Sequence, residues 1–178
     1  DATHPEFGTT LLGRDYDAPF GVAPLGLSGL MWPNLEKILA VAAKEHNIPN
    51  TLSTHACISP EKLRPIAGEN GWFQFYPPSV SEVETDLINR VRDAGYETIV
   101  VTVDIPVGAR RARDMRNGLS VPPSFDLRTL WQMITHPNWS LRMLAAGVPQ
   151  FETVRPYYEP GYNPCLLYTS PSPRDLLK

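Results

Sequence analysis

Between Phe20 and Thr102, short apolar runs alternate with amphipathic helical stretches, and this alternation restricts the chain to an α/β fold of βα units on a parallel sheet. The run Phe-Gly-Val-Ala at 20–23 reads as a buried strand stopped by Pro24. Asn34 stands where it can cap a helix whose Leu35, Ile38, Leu39, Ala42 and Ala43 share one face, with Asn47 and Pro49 ending it. A second strand is predicted at 51–53. Ser59, with Pro60 in the first helical position, opens a short helix through Leu63 and Ile66 that stops by Gly68. The third strand is Trp-Phe-Gln-Phe-Tyr at 72–76. Ser79 and Ser81 each have Glu three residues on, and Val83, Leu87, Ile88 and Val91 form the buried stripe of a longer helix closed by Gly95. The fourth strand is predicted at 98–102.

Strand starts recur roughly every 20 to 30 residues, the period of a (β/α)8 barrel, in which chemistry gathers where strands end and loops begin. The expected fold is therefore α/β: a partial, truncated TIM barrel comprising about the first four βα units. Polar residues stand where this predicts them. Ser53, Gln74 with Tyr76, and Thr102 with Asp104 lie within or just after the C-terminal ends of otherwise apolar strands. A doubly wound open sheet has a similar pattern but usually carries a Gly-rich phosphate turn after its first strand. The corresponding segment here, Pro24 to Gly29, offers only Gly26-x-x-Gly29, which describes a tight loop as well as a nucleotide turn. After Asp104 come a long polar loop, a helical stretch from Leu127 to Ile134, and a tract rich in proline and aromatics with no evident fifth strand.

Charge and composition narrow the function classes. A net charge of -3, with basic residues scattered apart from a cluster between Arg110 and Arg116, disfavours nucleic acid as a partner. No run approaches the roughly 18 apolar residues of a membrane span, and no signal sequence opens the chain. Cys57 and Cys165 are far apart and lack metal-ligand spacing, so neither a disulfide framework nor a metal site is expected, and a cytoplasmic location fits best. The segment from Cys165 to Asp175 resembles the translation of a transposon-end adapter used in sequencing libraries. Residues 165–178 are accordingly read as a non-native tail, and residues 1–164 as the natural part.

Several stretches resemble the FMN-dependent L-2-hydroxy-acid dehydrogenase and oxidase family, whose members include flavin L-lactate dehydrogenases, glycolate oxidase and mandelate dehydrogenase. They are Thr10-Leu11-Leu12-Gly13, Pro19 to Pro24, Thr51 to Thr54, Trp72 to Tyr76, Thr102 to Pro106, and Arg116 to Pro123. The resemblance implies FMN as cofactor and the oxidation of a small, lactate-like 2-hydroxy acid to its 2-oxo acid. Oxygen, a quinone or a cytochrome would accept the electrons. It implies that Pro24, Leu25 and Gly26 run beside the flavin, with Leu25 where the family usually has Thr or Ala, and that Ser53, Gln74 and Thr102 hydrogen-bond the ring. Tyr76 and Arg111 would bind substrate, Arg111 as a planar bidentate donor to its carboxylate. Asp104 would support the catalytic histidine. None of His4, His46, His55 and His136 matches that histidine, which in the family comes from later strands. A second arginine, a flavin-contacting lysine and phosphate-binding loops also come from there. The resemblance further implies a homo-oligomeric parent, cytoplasmic or peripheral on the inner membrane, of which this chain is an inactive N-terminal part. A flavin-free barrel lyase or isomerase and a non-catalytic folded fragment remain as alternatives.

Overall fold

A computed structural model describes residues 6–78, 80–103, 127–147 and 149–157. The chain begins with an antiparallel hairpin, β1 (Thr9–Leu11) and β2 (Arg14–Tyr16), with Thr9 opposite Tyr16. Its two-residue turn places Leu12 and Gly13 at φ 53 and 82, the doubly left-handed geometry whose twist suits a tight hairpin. This hairpin was not expected from the sequence, because leucine seldom adopts that conformation.

The predicted strand at 20–23 reduces to a single parallel bridge between Val22 and Asn50. Val22 donates its N–H to Pro49 O and accepts from Thr51 N, so the pairing direction is as expected, but Phe20 is exposed rather than buried. Pro19 and Pro24 bracket the segment and supply no N–H donors, which limits a ladder to its middle. Gly21 passes so close to Pro49 that a Cβ would lie 2.5 Å from its carbonyl oxygen.

A one-turn helix, α1 (Ser28–Met31), comes next, then α2 (Leu35–Glu45), β3 (Asn50–Ser53) and α3 (Pro60–Ala67). A 3-10 turn (Gly68–Asn70) leads into β4 (Gly71–Phe75), followed by α4 (Ser81–Asp93) and β5 (Ile99–Val101). Strands β3, β4 and β5 form a parallel sheet in that order, with Ser53 beside Gln74 and Gln74 beside Val100. With the bridge at Val22 this is the strand sequence of the first four βα units, and no closed barrel is present among the described residues.

Helix predictions held in position more than in detail. Asn34 precedes α2 but sits at φ 59 and makes no side-chain cap, and α2 buries Glu36, Ala40 and Ala43 while Ile38 and Ala42 are exposed. The buried stripe is rotated because Glu36 turns inward to accept the Cys57 N–H at 2.9 Å. Ser59 occupies the cap position of α3 without a side-chain cap bond; its N–H goes to Glu152 instead. Val80, not a serine, precedes α4, and Ser79 lies outside the described residues. The α4 stripe itself holds, with Leu87 and Val91 fully buried.

The core lies between the sheet's outer face and these helices, and contains Ala40, Leu52, Leu63, Ala67, Phe73, Phe75, Leu87, Val91 and Tyr96. Beyond the sheet, α5 (Leu127–Thr135) extends one residue past the predicted stretch, and α6 (Pro137–Ala146) falls in the tract read only as rich in proline and aromatics, with Pro137 in its first turn. Residues 151–157 then return to the core, where Val154 is buried and Arg90 joins Glu61, the Thr153 carbonyl and the Tyr157 hydroxyl. Among the described residues no helix is long and apolar enough to cross a membrane.

Candidate functional site at the strand C-termini

Side chains alternate along a strand, so Phe73 and Phe75 of β4 face the helices while Trp72, Gln74 and Tyr76 share the other face. This face runs from the N-terminal to the C-terminal end of the sheet. At the N-terminal end Trp72 donates its indole N–H to Tyr16 Oη at 3.1 Å with the rings edge to face, so the β1–β2 hairpin closes that end. The functional candidates occupy the opposite end.

Gln74 is 2% exposed and sits in a hydrogen-bonded row across three strands. Ser53 Oγ donates to Gln74 Oε1 at 3.1 Å, and Gln74 Nε2 donates to Thr102 Oγ1 at 2.8 Å. Thr54 N also approaches Gln74 Oε1, at 3.4 Å. The three polar residues at consecutive strand ends thus form one connected, buried group. As an acceptor from Gln74, Thr102 keeps its own hydroxyl hydrogen, and the Gln74 amide carries a second N–H. These hydrogens are available for a bound acceptor.

Tyr76 follows β4, half-buried, its ring 5.3 Å from that of His55, which also meets Phe151 edge to face at 5.8 Å. Burial pushes the His55 pKa down to about 4, well below the near-neutral value that suits a general base, so its imidazole is too weakly basic for that task. Pro24, Leu25 and Gly26 are exposed beside this group, held by a bond from Leu27 N to His55 O at 2.9 Å. A Cβ on Gly26 would meet nothing closer than His55 Cβ at 3.5 Å, so the protein itself does not require glycine there. Gly29 differs. Its Cβ would lie 2.9 Å from Cys57 Cβ, which makes Gly26-x-x-Gly29 a packing feature more than a phosphate turn.

Asp104, Arg110 and Arg111 lie outside the described residues, as does Cys165. The sequence missed Thr54, a fully buried residue whose hydroxyl donates to Gln74 O at 2.6 Å and accepts from Tyr76 N at 3.2 Å, fixing the ends of β3 and β4 together. Its signal was its place directly after Ser53. Burial, reinforced by the Glu36 carboxylate, raises the Cys57 thiol to about 11, which disfavours its thiolate. Among the described residues no group of three His, Cys, Asp or Glu is arranged to hold a metal ion.

Comparison with known proteins agrees with this arrangement. The chain is 36% identical to an L-lactate dehydrogenase of Pseudomonas entomophila (strain L48), across 79% of its own length and 37% of the relative's. It is 32% identical to the (S)-mandelate dehydrogenase of Pseudomonas putida, across 84% of the chain and 38% of that protein. The crystal structure of the monotopic membrane protein (S)-mandelate dehydrogenase superposes with a TM-score of 0.80 at 32% identity, covering 85% of this chain and 40% of that one. A mandelate oxidase solved with benzoyl-formic acid gives 0.63 at 38% identity, over 67% of this chain and 36% of the other. The chain thus spans about two fifths of the length of these relatives, and their likeness extends the three-stranded sheet described here to the TIM-barrel fold. The family model for FMN-dependent dehydrogenases matches residues 1–164, and this chain belongs to that family.

Proposed function

We propose that the intact protein containing these residues uses FMN to oxidise an L-2-hydroxy acid of lactate type to the 2-oxo acid. The observation carrying this reading is the Ser53–Gln74–Thr102 row on consecutive strands of a chain matched by an FMN-dependent family. Family membership also removes the flavin-free lyase or isomerase. Bound FMN supplies the acceptor for the hydrogen and electron pair leaving the substrate carbon. Gln74, through its second N–H, and Thr102, through its hydroxyl, hold the polar edge of the ring, with Ser53 fixing the Gln74 amide from the other side. Pro24, Leu25 and Gly26 border the ring. Tyr76 binds substrate oxygens from the end of β4. On resemblance, Arg111 holds the substrate carboxylate and Asp104 orients a histidine supplied by the rest of the protein. Turnover is assigned to that intact, homo-oligomeric parent, not to the 178 residues alone, with oxygen, a quinone or a cytochrome as acceptor. The family match ending at residue 164 supports reading 165–178 as foreign, which amplification of the locus across Pro164 would check.

The test is FMN retention in the intact protein. Gln74→Ala or Thr102→Val should weaken FMN binding by roughly 10-fold or more, since a buried polar atom left unpaired costs about 1–3 kcal/mol. Unchanged flavin affinity, spectrum and potential in both variants would overturn the assignment.

A second reading concerns location, and we infer a peripheral membrane association. Its support is the relative described as monotopic, whose superposition covers 85% of this chain against 67% for the mandelate oxidase.

A further inference from the structure

Two parts of the chain far apart in sequence meet at the mouth of the sheet. Tyr76, just after β4, leans its ring on His55, just after β3, at 5.3 Å between centroids, and His55 in turn meets the edge of Phe151 at 5.8 Å. Phe151 belongs to neither strand. It opens the segment 151–157, which returns to the sheet after α5 and α6. In that segment Val154 is fully buried and Tyr157 packs against the hydrophobic core, whereas Phe151 is half-buried and stands outside that core. Its ring answers to His55 instead.

Apart from a 3-10 turn at Arg155–Tyr157 the segment has no regular structure among the described residues, so bonds to the helices and their leading loops hold it. Glu152 accepts from Ser59 N at 3.3 Å and from Lys62 Nζ at 2.9 Å, and the fully buried Thr153 donates its hydroxyl to Ile58 O at 3.1 Å. From α4, one guanidinium nitrogen of Arg90 donates to Thr153 O at 2.9 Å and to Tyr157 Oη at 3.0 Å, while its Nε donates to Glu61 of α3 at 2.8 Å. Tyr157 donates its own proton to Asp86 at 2.5 Å. A lysine ammonium has no planar fork, so it could not serve the segment and Glu61 together. Helices α3 and α4 follow the strands that carry Ser53 and Gln74, so the segment and the site share one frame. Sealing the core would call for Val154 and Tyr157, but not for an aromatic ring turned to the mouth.

We propose that residues 151–157 form a clasp that holds the Tyr76 hydroxyl in place for substrate, with Phe151 as its contact, through His55, and Arg90 as its fastening. Both are positioning residues that act through the ring they hold. The proposal rests on the reading of Tyr76 as a substrate-binding residue. A misplacement of about 1 Å in such a group can cost on the order of 100-fold in rate, which sets the scale of the effect.

The test combines kinetics of the intact, FMN-loaded protein on L-lactate with NMR titration of the His55 imidazole. Phe151→Ala should lower kcat/KM by roughly tenfold with FMN content unchanged. Uncovered by that change, His55 should titrate well above about 4, toward the ordinary 6.5. Phe151→Tyr, which keeps the ring, should hold both readings near the parent's, and Arg90→Lys should lower kcat/KM several-fold. In a Tyr76→Phe background the effect of Phe151→Ala should shrink to about twofold or less, since no hydroxyl remains to be placed. Leu87→Val loosens the buried face of α4 but leaves each clasp bond in place, and should match the parent in both readings. Parent-like kinetics in Phe151→Ala, an undiminished loss in the Tyr76→Phe background, or the same changes in Leu87→Val would overturn the clasp alone. Parent-like kinetics in Tyr76→Phe would overturn the substrate reading of Tyr76 and the clasp together. A parent that does not turn over lactate would overturn the functional reading by itself, and an unmoved His55 titration in Phe151→Ala would then still overturn the clasp.

Discussion

Strands β4 and β5 are parallel neighbours, both rich in aromatic or β-branched residues, yet they lead opposite lives. Every residue of β4 is buried or half-buried, whereas Ile99, Val100 and Val101 of β5 are all exposed. Composition does not separate them; neighbours do. Strand β4 has a strand on each side, helices α3 and α4 over Phe73 and Phe75, and the polar row on its other face. Strand β5 has β4 on one side, and among the described residues nothing pairs with its other edge. A strand of a parallel sheet is best stabilised when both faces are covered and both edges are paired. The two strands therefore mark where this chain's own stability is concentrated and where it thins.

The sharpest way to break this contrast is to truncate both strands. Phe73→Ala removes a fully buried ring from the core centre and should cost about 3–5 kcal/mol in denaturant unfolding, enough to unfold a marginal domain. A cost below about 1 kcal/mol would mean that the β4 core is loosely packed.

A second, somewhat smaller effect probes the top of β4 through pH. The folded chain keeps His55 neutral down to about pH 4, while the unfolded chain protonates it near 6.5. Stability from this group is complete above about pH 6.5 and declines as the pH falls toward 4, because only the unfolded state takes up the proton, by as much as about 3 kcal/mol. His55→Phe keeps a ring against Tyr76 and Phe151 and should flatten that part of the pH profile relative to the parent. Identical slopes in the two proteins would show that His55 is solvated.

The smallest effect is expected on β5. Val101→Thr should change stability by no more than about 0.5 kcal/mol in this chain, since an exposed side chain has little packing to lose. The same change in a longer parent, where a further strand covers β5, should cost more. Equal costs in the two would show that β5 is already as buried as it becomes.

The sequence made the site more legible than its surroundings. Ser53, Gln74 and Thr102 stood out because period-two alternation forces a polar residue in an apolar strand either into solvent or into a partner, and three of them recurred at strand ends. The α4 stripe was legible because Leu87 and Val91 have no competitor for the buried face. On α2 that logic failed, since Glu36 takes a buried position to satisfy the Cys57 N–H, a tertiary bond that periodicity cannot register. The hairpin was hidden by Leu12 in a left-handed turn position, and α6 by Pro137, which punctuates most contexts but opens a helix here. Asp104 stood out by its place just after a strand end and Arg111 only through resemblance, and both fall in a long polar loop with no periodic element to fix their direction.

The polar row has a consequence for how a ligand would be received. With Gln74 held at both ends of its amide by Ser53 and Thr102, its rotamer is already chosen in the folded chain. A free glutamine that must freeze on contact costs about 0.5–1.5 kcal/mol of conformational entropy, and that loss is taken here during folding instead of at the moment of binding. If this row receives the flavin as proposed, its edge is preorganised, and binding there would be limited by shape and desolvation more than by the reordering of side chains.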